Sequence, residues 1–200
     1  YQHTGAPQLA LSDARSALRL AADDSSVRQA LLWLLIDYRQ YEELRQRLKG
    51  WPAISSDPAY REVLAAAWLA LGDATRALPY FAAVLHNKQQ DPLWLTGYAD
   101  ALEQALQPDL AWRVRRHIWY SLLPQTPPNR PPELLLQARL ALQFAPADQA
   151  AGLMRNLIRQ DQASQEINAD NAQAAELTLA WALSTEQNAA AKAWLLQRYA

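Results

Sequence analysis

The side chains able to do acid–base or metal chemistry are few and far apart in this sequence. The chain of 200 residues has three histidines and no cysteine. His3, His86 and His117 lie in different parts of the chain, and none has a second ligand at the spacing of a known zinc motif. The adjacent carboxylates Asp23 and Asp24 precede two serines, which is the usual composition of a helix-capping loop. We therefore predict no catalytic residue, no metal site and no cofactor.

Charge and hydropathy exclude two further classes of function. The sequence contains no glycine-rich phosphate loop and no nucleophile elbow. Its 19 basic residues are balanced by 20 acidic ones, whereas a surface that binds nucleic acid normally leaves a basic excess. The longest apolar stretch, 63–71, is too short to cross a bilayer. We predict a protein that is not an enzyme, does not bind nucleic acid and has no membrane span in this chain.

A repeat of 34 residues organises the sequence instead. Asp57-Pro58 recurs as Asp91-Pro92, and because aspartate suits the N-cap and proline the first helical position, each copy predicts the start of a helix. Gly72 then supplies the residue that ends the first helix of its copy. Apolar and small positions follow in register, pairing Tyr60 with Trp94, Leu64 with Tyr98, Ala65 with Ala99 and Ala77 with Ala111.

These residues resemble the tetratricopeptide repeat (TPR), a pair of helices called A and B. Leu64, Ala65 and Trp68 fit helix A, Gly72 fits the turn, and Ala77 and Phe81 fit helix B. The resemblance implies an all-α fold, a right-handed superhelical solenoid of antiparallel helix pairs.

The repeat pattern also predicts how the chain is divided. Two positions depart from it: Pro79 falls inside a predicted helix B, which we expect to bend, and Arg115 stands where an aromatic residue is expected. Because the first segment matches a helix B alone, we expect the array to continue before it. The predicted segments are 1–22 (helix B of a truncated repeat), repeats 25–56, 57–90 and 91–123, a proline-rich insertion 124–132, a repeat 133–161 and a degenerate repeat 170–200.

The concave groove formed by A helices is the usual binding surface of TPR proteins. Proteins of this family that clamp chaperone tails need lysine and asparagine in the groove, and this sequence has neither there. The groove residues are apolar with acid at the edge, which favours a cationic or neutral partner. Carrying the family's positions over to this sequence gives Gln29, Trp33, Asp37, Glu62, Leu69, Thr96, Asp100, Glu103 and Arg139.

Two basic clusters offer an alternative to the groove. One consists of Arg113, Arg115, Arg116 and His117 on a predicted helix B, and the other lies within 38–51, around Trp51. Long basic side chains often cover apolar surface while their charges stay in water, so a solvated outer face is one interpretation. The other is a convex docking patch for an acidic protein surface.

The alanine-, leucine-, glutamine- and arginine-rich repeats, with frequent tryptophan and no cysteine, are similar to periplasmic TPR arrays of Gram-negative bacteria. Segments 31–51, LLWLLIDYRQYEELRQRLKGW, and 71–85, LGDATRALPYFAAVL, resemble the PelB family of Pel exopolysaccharide exporters. This resemblance implies a periplasmic location as part of an outer-membrane protein. It also implies a partner such as a PelA-like polysaccharide deacetylase/hydrolase, with a cationic amino sugar polysaccharide nearby.

Three functions stay open at this point. The first is a scaffold that recruits the polysaccharide-modifying enzyme for export in biofilm formation. The second is a direct guide for the cationic polysaccharide, and the third is a generic cytosolic TPR adaptor for protein assembly.

Overall fold

A computed structural model of the chain describes residues 7–51, 57–125, 131–146, 148–150, 152, 153 and 156. Every regular element in these ranges is helical, which confirms the all-α prediction for them. The chain divides into two units, Tyr1–Trp112 and Arg113–Ala200, and the predicted segment 170–200 lies outside the described residues. The α-helices are α1 (Pro7–Leu20), α2 (Ser25–Asp37), α3 (Tyr41–Gly50), α4 (Pro58–Ala70), α5 (Ala74–Lys88), α6 (Pro92–Gln104), α7 (Pro108–His117) and α8 (Pro131–Phe144), and a π-helical turn, Ile118–Leu122, follows α7.

Aspartate side chains begin the helices where the sequence predicts them. Asp57 accepts a hydrogen bond from the N–H of Ala59 at 2.9 Å, and Asp91 accepts one from the N–H of Trp94 at 3.0 Å. Asp73 caps α5 in the same way. These bonds satisfy amide groups that have no partner within their own helix, so each aspartate fixes where its helix starts.

The turns between paired helices share one backbone conformation that does not always use glycine. Gly72 has a φ of 74°, as its predicted role requires, and Arg39 and Leu106 have φ values of 54° and 60°. A residue with a Cβ is strained in this left-handed region, where glycine is not. The same turn conformation therefore forms at all three positions, even where the residue type does not favour it.

Helices of the first unit pack against their neighbours in sequence. Helix α4 contacts α5, and α2 contacts α3. In addition, α4 contacts both α2 and α6. Ala65 and Ala77 are both fully buried on the paired helices α4 and α5. Small side chains at such positions let two helices approach closely, and this pairing is that of a TPR helical solenoid.

An aromatic cluster joins α5 to α6. The ring of Phe81 lies 5.0 Å from that of Trp94 and 5.8 Å from that of Tyr98, centroid to centroid. A Cβ atom added to Gly97 would lie 3.4 Å from the Phe81 ring, so the glycine permits this close approach. The Phe81 side chain is buried and fills the space between successive helix pairs.

The structure corrects two expectations and does not test a third. Helix α5 continues through Pro79, which is exposed, so the carbonyl deprived of its donor lies on the side open to water, and the bend expected there stays a prediction. Helix α8 begins at Pro131, two residues before the predicted start at Glu133, because proline is tolerated in a first turn. Arg115 is only 5% exposed, so its place in a surface patch was wrong. Its position in the repeat corresponds to that of buried Phe81, and the arginine stem is long enough to fill such a site.

Candidate functional site

Helices α2, α4 and α6 form the surface on which most of the predicted site residues lie. Each contacts the next, so their sides that do not pack on other helices are continuous within the first unit. We call this the A-helix surface, made of the exposed and half-buried residues of α2, α4 and α6 other than Arg28, which lines a cleft with residues of α1. No helix among the described residues is both long and apolar enough to cross a membrane.

The predicted residues of α2 are partly structural. The side-chain amide of Gln29 donates a hydrogen bond to the carbonyl of Ala59 at 3.1 Å, which ties α2 to the first turn of α4. Trp33 is half-buried and packs against the leucine core of the first unit. Asp37 is exposed at the end of the helix. Of the three, Trp33 combines exposed apolar area with a side chain fixed by packing.

On α4 the predicted acidic residue is part of an ion pair. Glu62 lies 3.0 Å from the Lys88 ammonium, which is also 3.6 Å from Asp91. The hydrogen bond to Glu62 raises the pKa of Lys88 above its ordinary value. Leu69 packs into the aromatic cluster near Gly97. These two residues hold helices together, so the expected acidic edge is partly neutralised along α4.

Helix α6 is the second source of acidic residues on the A-helix surface. It carries Asp100 and Glu103 and has no basic residue. Asp100 is half-buried and Glu103 is exposed. The hydroxyl of Thr96 donates to the carbonyl of Pro92 at 2.8 Å, within the same helix. The second half of α6 therefore contributes two of the acidic residues of the A-helix surface.

Arg139 is on a different helix from the other predicted site residues. It lies exposed on α8, in the second unit. The remaining predicted residues all lie on α2, α4 or α6, and their role in binding stays a prediction.

The histidines of the described part of the chain do not lie together. His86 and His117 are exposed on different helices, and His3 lies outside the described residues. Within the described ranges, no three histidine, aspartate or glutamate side chains are grouped so that they could hold a metal ion.

The sequence did not reveal a cleft between α1 and α3. It has a volume of about 700 Å³ and is lined by Arg15, Arg19, Arg28, Arg47 and Trp51, and we call it the arginine cleft. Basic residues near Trp51 were recognised in the sequence, but the contribution of α1 depends on tertiary packing. A signal was present: arginines recur four residues apart on α1, at 15 and 19, which places them on one helix face.

Glu43 links the two helices that border this cleft. Its carboxylate accepts hydrogen bonds from Arg15 Nε at 3.1 Å and from Arg47 at 3.0 Å. The bond from Arg15 is the main reason why the pKa of Glu43 lies below its ordinary value. The carboxylate therefore stays ionised at neutral pH and orients two guanidinium groups at the cleft.

Comparison with known proteins gives the family. A sequence model of the family described as "Tetratricopeptide repeat" matches residues 1–123, which is more than half of the chain. Comparisons with curated proteins and with solved structures gave no significant match. The resemblance to the PelB exporters therefore rests on the two segments quoted above and stays a prediction.

Proposed function

Because the chain belongs to the tetratricopeptide repeat family, we propose that it is a scaffold that binds a partner protein along the A-helix surface. Repeats of this family suggest an interaction scaffold, and proteins built from them are generally not catalytic. The observation that carries the proposal is the contact of α2 with α4 and of α4 with α6, which makes one continuous surface from three repeats. A single extended ligand is thereby able to contact several helices at once.

The chemistry of this surface indicates the kind of partner. Trp33 offers half-buried aromatic area, and rigid aromatic side chains are frequent anchors of protein interfaces. Asp100 and Glu103 place negative charge on α6. A partner with a basic patch beside an apolar one fits this surface, and its binding is expected to weaken as salt rises.

The partner that we propose is a polysaccharide deacetylase/hydrolase, recruited in the periplasm for exopolysaccharide export. Support for it comes from the resemblance of segments 31–51 and 71–85 to the PelB exporters. A second candidate is a direct guide for a cationic amino sugar polymer. In its favour, an aromatic ring and carboxylates on one surface are also what a positively charged sugar chain needs.

The test measures binding of the purified PelA-like deacetylase/hydrolase from the same organism to the immobilised chain. Replacing Asp100 and Glu103 by lysine is expected to weaken binding about tenfold or more, since it reverses the charge of α6. The matched control reverses two exposed arginines instead, Arg113→Glu with Arg116→Glu. Buried Arg115 is left unchanged, because a carboxylate there is expected to unfold its helix pair.

Three results would each change the proposal. If the wild-type chain does not bind the enzyme, recruitment of that enzyme is wrong. If only the arginine variant loses binding, the A-helix surface is the wrong surface. If chitosan oligosaccharides bind and the lysine variant abolishes this while the enzyme does not bind, the chain is a polysaccharide guide.

A further inference from the structure

We propose that the arginine cleft is a second binding site, which takes an acidic peptide segment of a partner protein. It is built from α1, the start of α2 and the end of α3, and so shares no predicted groove residue with the A-helix surface. Its existence does not depend on the function proposed above.

Positive charge exceeds negative charge at this cleft. Four guanidinium groups line it, and the two carboxylates paired with them are Glu43 and Asp23. Asp23 is fully exposed at the rim, 2.8 Å from Arg28, so water screens its charge. Arg19 donates to the hydroxyl of Ser16 at 2.9 Å, and no carboxylate pairs with it among the described residues. The surplus of charge favours an anionic ligand.

Trp51 holds two of these guanidinium groups in place. The Cζ atom of Arg28 lies 5.5 Å from the centre of the indole ring, and that of Arg47 lies 6.0 Å from it. A cation–π contact is an attraction between the charge and the ring, and it leaves the N–H donors of the guanidinium able to form hydrogen bonds. Each group has five such donors, and Arg28 uses its edge on Asp23 and on the carbonyl of Ala22. Donors therefore remain for the carboxylates of a ligand, in positions set before it binds.

Size and shape favour a peptide over other anions. A volume of about 700 Å³ lies within the range of about 300–1,000 Å³ that is usual for ligand sites, and it exceeds what a single phosphate ion needs. Leu18 and Ala22 add apolar wall between the arginines, which suits short apolar side chains next to carboxylates. A nucleic acid needs phosphate contacts along an extended basic face, whereas these arginines converge on one cleft.

The experiment uses a fluorescein-labelled octapeptide of alternating glutamate and leucine and follows its anisotropy as the full chain is added. The matched probe has glutamine in place of glutamate. The wild-type chain is expected to bind the glutamate peptide at least about tenfold more tightly than the glutamine peptide, with affinity falling as salt rises. Equal binding of the two peptides overturns the proposal.

Variants assign the binding to the cleft. Arg19→Gln with Arg28→Gln is expected to weaken binding of the glutamate peptide about tenfold. The matched control is Arg76→Gln, because Arg76 also stacks on a tryptophan, 4.7 Å from the centre of the Trp68 ring, but lies outside the cleft. If the double variant is misfolded by circular dichroism, the single variant Arg19→Gln decides the question. Arg19 is exposed and its hydrogen bond is to Ser16 of the same helix, so this variant is expected to fold and still to weaken binding severalfold.

Two outcomes distinguish an acidic-peptide site in the cleft from a general polyanion site and from a site elsewhere on the chain. A single-stranded DNA octamer that binds as tightly as the glutamate peptide, with the same dependence on Arg19, makes the cleft a general polyanion site and overturns the peptide assignment. Loss of peptide binding in Arg76→Gln equal to that in the cleft variants overturns the location. Neither outcome affects Asp100 or Glu103, so failure here is distinguishable from failure of the A-helix proposal.

Discussion

Segments 57–90 and 91–123, predicted as successive repeats, keep the same helix starts and the same small residue. Asp57 and Asp91 each accept a hydrogen bond from the first turn of the helix that follows. Ala77 and Ala111 are both completely buried. The positions that start a helix or allow two helices to approach closely are thus retained.

The same two segments differ in the residue type at the turn and at one buried position of the second helix. Gly72 of the first corresponds to Leu106 of the second, and both have positive φ. Phe81 of the first corresponds to Arg115 of the second, and both are buried. The repeat therefore tolerates a strained turn and a charged core residue when the caps and the small residue are kept.

The largest expected effect is at the aromatic position. Phe81→Ala removes the ring packed on Trp94 and Tyr98 and is expected to cost about 3–5 kcal/mol of unfolding free energy. Urea unfolding followed by circular dichroism measures it, with Tyr41→Ala as the control because Tyr41 is 40% exposed. A loss below about 1 kcal/mol would show that this ring does not stabilise the junction.

Overpacking tests whether the small residue matters equally in both segments. Ala77→Trp and Ala111→Trp are each expected to cost about 1–3 kcal/mol or more, since neither fully buried site has room for an indole. Ala82→Trp, on the exposed side of α5, serves as the control. If Ala111→Trp melts like the wild type while Ala77→Trp does not, the two segments are not equivalent and the comparison fails.

Relieving the strained turn at Leu106 is expected to raise the stability of the protein, by less than the preceding substitutions lower it. Leu106 is 88% exposed with a φ of 60°, so Leu106→Gly relieves backbone strain and removes almost no packing. We expect it to stabilise the protein by about 0.5–1 kcal/mol, seen as a higher melting temperature. The reciprocal change Gly72→Leu should destabilise by a similar amount. A lower melting temperature for Leu106→Gly would mean that the leucine has a packing role.

The smallest effect concerns the ionic junction between α1 and α3, which neither compared segment contains. Arg15 lowers the pKa of Glu43 in the folded protein, so the ionised carboxylate stabilises the fold above its unfolded pKa. This contribution disappears as pH falls through the lower, folded pKa. Exposed ion pairs contribute little, so we expect a loss under about 1 kcal/mol.

Urea midpoints at about pH 7 and about pH 3 measure this contribution. Wild type should lose more stability between them than Glu43→Gln, whose side chain has no charge to lose. Glu42→Gln is the control, since Glu42 is mostly exposed, and its partners Arg45 and Gln46 lie on its own helix. An equal pH dependence of wild type and Glu43→Gln would show that the ionised Glu43 carboxylate does not stabilise the fold.

The sequence predicted what depends on neighbours along the chain and missed what depends on contacts between helices. Asp57, Asp91 and Gly72 act within a few residues of their own positions, so their roles were readable from residue type and spacing. The burial of Arg115 follows from packing around its helix, and the pairing of Glu62 with Lys88 joins two helices. Local sequence carries no sign of such contacts.

The candidate surfaces show the same division. Repeat register placed Trp33 and Asp100 on A helices, because a fixed period maps positions onto one side of each helix. The arginine cleft is lined by Arg15 of α1 and Arg47 of α3. A sequence pattern within one repeat does not indicate which side chains of another repeat will lie beside its own.

Binding along the A-helix surface is tested by hydrogen–deuterium exchange of the chain with and without the PelA-like deacetylase/hydrolase. We expect slower exchange in peptides covering α2, α4 and α6, with protection lost in the Asp100→Lys, Glu103→Lys variant. Protection confined to α5 and α7, with α2, α4 and α6 exchanging as in the free chain, would contradict binding along the A-helix surface.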